Sequence, residues 1–152
     1  MISLESARKL KRAGLTWTPN LHDFFAIPDR DLDEDIFVIS DIQATISVIL
    51  LQQVISFQGA SEWALDSLLI EEAVWMPRED QLRDFLEILL LKTNFSGIKL
   101  RIGIDGYRIN MIFQDHEYQF RDNDASEVYA KALLFILGQR RMIEEQEFPE
   151  DN

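Results

Sequence analysis

The chain has 152 residues, 47% of them hydrophobic and 28% charged, with a formal net charge of −12 and no cysteine. This length and balance predict one globular domain with a core that holds without staples, and exclude disorder throughout. The lack of cysteine excludes disulfides, thiolate metal sites and a cysteine nucleophile.

The charge is uneven. Residues 1–22 carry +3, residues 23–87 carry −12, residues 88–143 carry +2, and the segment from Glu144 carries −5. A negative field repels phosphates and acidic lipid, so no nucleic-acid or membrane partner is expected, whereas a basic protein would be attracted. The opening Met1–Lys9 is broken by charges, unlike a secretory signal, and no run approaches the ~18 apolar residues of a membrane helix. The expected location is cytoplasmic.

Ser3 reads as the N-cap of a first helix in which Leu4, Ala7, Leu10 and Ala13 recur at helical spacing, closed by Gly14. Asp23–Ile27 and Ile36–Ser40 read as strands, apolar enough to be central or covered on two faces, joined by the acidic hairpin loop Asp29–Asp35. Residues 42–51 fit strand or helix. Val54–Phe57 reads as a strand, and Ser61 as the cap of a helix carrying Trp63, Leu65, Leu68 and Leu69. Pro77 opens the next helix, whose Leu82, Phe85, Leu86, Leu89 and Leu90 form the clearest apolar stripe in the chain.

Asp105-Gly106 is a strong two-residue hairpin signal. Folding about it pairs Ile104 with Tyr107, Ile102 with Ile109, Leu100 with Met111 and Ile98 with Phe113. A second turn at Asp115-His116 pairs Phe113 with Tyr118 and Met111 with Phe120, on the same face. Asp124 and Glu127 form a capping box for a closing helix to about Gly138, with Val128, Ala132, Leu133, Ile136 and Leu137 over the sheet. Residues 139–143 are a candidate extension of it. The expected fold is α+β, an antiparallel meander with helices packed on it in helix–sheet–helix layers. Residues 1–143 form one domain in this reading, and 144–152 an acidic, disordered tail.

The chemical constellations are weak. Asp29, Asp31 and Asp33 alternate like the start of a calcium loop, but Glu34 and Ser40 stand where glycine and glutamate belong. A solvated loop is the better reading, and no metal site is assigned. Two histidines, His22 and His116, are too few for a zinc site, and His116 sits in a turn. No nucleophile elbow and no phosphate-cradling glycine loop is present, so no cofactor is expected. Glu62 with Asp66, and Glu71 with Glu72, are carboxylate pairs of the kind that arise by chance among 27 acids. Trp17, Trp63 and Trp75 suit core packing better than ligand stacking. The outer face of the C-terminal sheet shows Lys99, Arg101, Arg108, Asn110, Gln114, Gln119 and Arg121, with Glu117 its one acid. Such a patch could receive an acidic partner or this protein's own acidic segment, though an ordinary solvated face explains it as well.

The segment Ser3–Leu15 resembles the opening helix of a family of small uncharacterised bacterial and phage (prophage-type) proteins. The likeness continues at Val74–Leu82, at Gly59–Asp66 and in the closing helix Asp124–Leu137. It implies a helix–sheet–helix domain and no activity. Some members bear a pilus-assembly name, but the ATPases of that process need a phosphate loop this sequence lacks.

The reading that follows is a non-enzymatic protein–protein interaction module. Its contact surface is expected along residues 29–35 and 62–87, at Asp29, Asp31, Asp33, Glu34, Glu62 and Asp66, with Arg101 and Arg108 as further candidates. The expected partner is a protein, a basic one being the kind attracted, with a homodimer as another arrangement. One alternative is an acidic inhibitor or immunity-type protein of a basic nucleic-acid-acting enzyme. Another is a small-ligand binder or carboxylate-dependent hydrolase.

Overall fold

A computed structural model describes residues 1–28, 35–41, 44–57, 67–92 and 95–147, with side chains left out at 95, 96 and 141–147. The expected Asp29–Asp35 loop, apart from Asp35, and the Ser61–Asp66 helix start lie outside the described residues. The fold is α+β, with three helices and three small antiparallel sheets among the described residues. Two compact units form, Met1–Leu15 with Arg78–Asn152, and Thr16–Pro77.

The first unit begins with α1 (Leu4–Arg12). Ser3 caps it, its hydroxyl accepting from Ser6 N. The helix ends in a Schellman motif, with Leu15 N donating to Leu10 O and Gly14 N to Lys11 O. Gly14 has φ +94°, a conformation that side chains resist. Helix α2 (Glu79–Leu91) follows Pro77 by two residues. Arg78 is its N-cap, and the Gln81 side chain accepts from Arg78 N. Leu82, Leu86 and Leu90 are buried, while Phe85 and Leu89 flank them half-buried.

Helix α3 (Ala125–Glu147) covers one face of the sheet β1–β2–β3, where β1 is Phe95–Gly103, β2 Gly106–Phe113 and β3 His116–Asp122. Ile109, Met111 and Phe113 of the sheet and Val128, Ala132, Leu133 and Ile136 of the helix are all buried. Phe135 sits among Phe113, Tyr118 and Phe120. Helix α3 runs past Gly138, four residues into the expected tail. One glycine costs only about 1 kcal/mol in a helix, too little to end one already packed on the sheet.

The sheet register differs from expectation by two residues at both hairpins. Ile102 pairs with Tyr107, Leu100 with Ile109 and Ile98 with Met111. Phe113 pairs with His116, Met111 with Tyr118 and Ile109 with Phe120. A two-residue shift keeps every side chain on its expected face. The cause lies in the turns. A type I′ turn at Asp105-Gly106 needs positive φ at both residues, but only Gly106 has it, at +95°. The loop is therefore Ile104-Asp105 followed by a left-handed glycine, the three-residue hairpin with a bulge. The next hairpin turns on Gln114 and Asp115, with φ +49° and +62°.

The capping box at α3 is half present. The Asp124 carboxylate accepts from Ser126 N and Glu127 N at 2.7 and 3.3 Å. Glu127 does not reach back, because Asp124 N is taken by Asp122 Oδ1. It crosses instead to α1, accepting from Ser3 N and from the Ser6 hydroxyl, both at 2.6 Å.

The second unit holds two sheets. In one, β4 (Phe24–Ala26) lies between β5 (Ile36–Val38) and β6 (Val74–Trp75). Strand β4 is covered as expected, whereas β5 is an edge with Ile36 exposed. The other has the order β7 (Ala44–Ile49), β8 (Gln52–Phe57), β9 (Ser67–Leu69). The ambiguous residues 44–49 are thus strand. Leu68 and Leu69, expected in a helix, are strand too. Burial alternates along Ser67–Leu69, and Leu68 faces inward opposite Ile55, so cross-strand burial overrides the local helical spacing. Phe25, Ile27, Ile39, Ile55 and Leu68 share one core, flanked by Trp17, Phe37 and Phe57. Trp17, half-buried against this core, stacks on the buried Trp75 at 6.3 Å.

Candidate functional site

The outer face of the β1–β2–β3 sheet carries the best-defined charged arrangement. Arg101 lies opposite Arg108, and Arg108 opposite Arg121, so three arginines form one row across three strands. Strands lie about 4.8 Å apart, which gathers three cationic stems within roughly 10 Å. The adjacent row is Lys99, Asn110 and Gln119. Under the expected register Arg101 would have faced Asn110, and Arg108 would have faced Asn123. The two-residue shift is what aligns the arginines.

The row is partly tethered. Arg108 Nη2 donates to Asp105 Oδ2 at 2.7 Å, which adds a second acid to the expected Glu117. Arg121 donates through Nε and Nη2 to Gln119 Oε1. Asn110 Nδ2 donates to Glu117 Oε1. Among the described residues Arg101 and Lys99 have no such partner. Arg108 Nε and Asn110 Oδ1 are buried atoms without a hydrogen bond there. Like charges placed directly opposite each other destabilise a sheet. A bound carboxylate relieves that, because a guanidinium offers it two parallel donors.

Behind this face, Lys131 on α3 ties the last strand down. Its ammonium meets Asp122 Oδ2 at 2.7 Å and Arg121 O at 2.9 Å. The hydrogen bond from Lys131 holds the Asp122 carboxyl below the usual aspartate range, against a smaller opposing effect of burial. Burial pushes the Tyr129 phenol up, with the Glu79 carboxylate adding to it.

Of the other candidates, Asp29, Asp31, Asp33, Glu34, Glu62 and Asp66 lie outside the described residues, as does Trp63. The described part of the acidic segment is partly self-neutralised, since Arg78 pairs with Asp80 and Arg83 with Asp84. Glu72 is structural, its carboxylate accepting from Leu69 N to close the turn after β9. His116 is a surface residue whose Nδ1 lies 2.8 Å from Gln114 O. His22 has φ +67° and donates its backbone N–H to Ile39 O. No group of three His, Asp or Glu side chains among the described residues could hold a metal ion.

A second feature escaped the sequence reading. The β7–β8 hairpin turns on Leu50 and Leu51, with φ +51° and +66°. A left-handed conformation costs such residues about 1–2 kcal/mol each. They are 91% and 98% exposed, and Val48 and Ile49 beside them are 68% and 46% exposed. The available signal was charge: residues 42–61 contain no Asp, Glu, Lys or Arg.

The chain was compared with family models, curated proteins and solved structures, and none matches it. No helix among the described residues is long and apolar enough to cross a membrane.

Proposed function

We propose that the chain is a non-enzymatic protein–protein interaction module whose outer C-terminal sheet face receives an acidic segment of a partner protein. The observation that carries this reading is the aligned row Arg101, Arg108 and Arg121. Support also comes from Arg101 and Lys99, which make no side-chain hydrogen bond or ion pair among the described residues. The six acids expected to carry a contact surface, Asp29, Asp31, Asp33, Glu34, Glu62 and Asp66, lie outside the described residues, and the described part of that segment is partly self-neutralised. An acidic peptide is favoured over nucleic acid because a net charge of −12 repels a long polyphosphate, while a short carboxylate-rich segment fits four local cations.

Exposed ion pairs contribute about 0–1 kcal/mol each, so binding by this row is modest and salt-sensitive. The test is fluorescence polarisation with a labelled glutamate-rich peptide. Raising salt from about 50 to about 500 mM should weaken binding several-fold. Arg101→Glu with Arg121→Glu should raise Kd at least ~tenfold. Equal affinity in the double variant, or tighter binding of an oligonucleotide than of the peptide, would overturn the proposal.

A further inference from the structure

The β7–β8 hairpin combines an open edge, an apolar tip and a lack of charge. Among the described residues strand β9 pairs with Val54–Ser56, so the hairpin from Val48 to Gln53 runs past its third strand as a two-stranded ribbon. Such ribbons are marginal on their own. Strand β7 is the edge of its sheet. Ser40 N donates to Ala44 O at its base, and among the described residues no strand pairs with the edge beyond that. Natural edges are guarded by lysine, proline or a bulge. Thr45-Ile46-Ser47-Val48-Ile49 has no lysine or proline, and its pairing with β8 is continuous.

We infer that two copies of this chain associate through antiparallel pairing of their β7 edges. The register follows from the hairpin. A two-residue turn at Leu50-Leu51 makes Ile49 and Gln52 a hydrogen-bonded pair, as are Ser47 with Val54 and Thr45 with Ser56. The groups that point outward are therefore those of Ala44, Ile46 and Val48. A two-fold axis at Ser47 sets Ile46 opposite Val48 of the second copy, and Val48 opposite its Ile46. Both are hydrogen-bonded pairs, so the strand is complementary to itself. Thr45 then faces Ile49, and Ala44 faces the tip residue Leu50.

Charge selects this occupant. Two chains of −12 repel one another over most of their surface, and the uncharged stretch 42–61 is where they can meet without opposed acids. Area agrees. The exposed parts of Val48, Ile49, Leu50 and Leu51 amount to on the order of 500 Å² per copy, as large as the largest patch on a typical monomer. Two copies bury at most about 1,000 Å² of this patch, at the lower bound of a specific interface. The association is accordingly weak and concentration-dependent.

Sedimentation velocity on the full chain tests this, from about 1 to about 500 µM, the range in which so small an interface should associate. The expected result is a monomer–dimer equilibrium that holds or tightens as salt rises, opposite to the peptide binding of the arginine row. Val48→Lys should raise the dimer Kd at least ~tenfold by placing a charge on the edge. Leu50→Asn with Leu51→Gly keeps the turn in residues that favour it and removes the tip, so it should also weaken the dimer. That second variant decides the matter if the first does not fold. A monomer at every concentration, assembly beyond two copies, or an unchanged dimer in a folded variant would each overturn the inference.

Discussion

Replacing Glu127 with alanine should destabilise the α1–α3 packing by about 2 kcal/mol. In a capping box the third helical residue returns a carboxylate to the N-cap N–H. Helix α1 has Ser6 at that position, too short to do so. Glu127 supplies the missing carboxylate from α3, accepting from Ser3 N and Ser6 Oγ at 2.6 Å each. Hydrogen bonds to a charged group contribute about 1.5–3 kcal/mol each when buried. Ser3 is exposed and the Ser6 hydroxyl can turn to water, which brings the pair down to about 2 kcal/mol together. At this chain length that lowers Tm by roughly 4–8 °C. Urea and thermal unfolding followed by circular dichroism would measure it. A cycle with Ser6→Ala should give a coupling of about 1 kcal/mol, since the two side chains share a bond. Additive effects within about 0.3 kcal/mol, or a loss under about 0.5 kcal/mol for Glu127→Ala, would refute the assignment.

Gly106→Ala should cost about 3 kcal/mol by urea unfolding, because φ is +95° and a Cβ would come within 2.5 Å of Asp122 O. Asp23→Ala leaves Trp17 Nε1 and Asn20 N without the carboxylate that both reach at 2.9 Å. A loss of about 2 kcal/mol is expected, read from tryptophan fluorescence on unfolding. Asp122 has its folded pKa lowered by Lys131. Its contribution to stability is therefore present above the unfolded value near pH 4 and lost as pH falls through the folded one. Lys131→Met should raise the Asp122 pKa toward that ordinary value, which a carboxyl-carbon NMR titration would follow.

Helix ends were legible in the sequence because their signals are local. Ser3 and Gly14 bracket α1 by side-chain chemistry and backbone freedom that need no distant partner. The stripe Leu82, Leu86, Leu90 was legible for the same reason. Leu68 and Leu69 were not, since spacing alone fits a helix and only the pairing with β8 makes them strand. Glu127 shows a further limit. Its position three residues after Asp124 satisfies the capping-box pattern, yet the competing acceptor for Asp124 N is Asp122, and the competing donors for Glu127 sit some 120 residues away.

The arginine row follows from a distinction that alternation cannot make. Side-chain period two fixes which face a residue occupies, so Arg101, Arg108 and Arg121 were legible as one face. It does not fix which residue stands opposite which, because a shift of two preserves every face. The turn decides that. Asp105-Gly106 looks like a type I′ pair, but aspartate keeps negative φ and glycine alone goes left-handed, which moves the loop back by one residue and the pairing by two. The same comparison makes the leucine turn informative. Where sequence preference and backbone agree, as at Gly106, stability explains the residue. At Leu50 and Leu51 two exposed side chains sit in a conformation they resist, so stability of the single chain does not explain them. The inferred pairing with a second copy would, and it predicts that Leu50→Asn with Leu51→Gly makes the monomer more stable while making the dimer weaker.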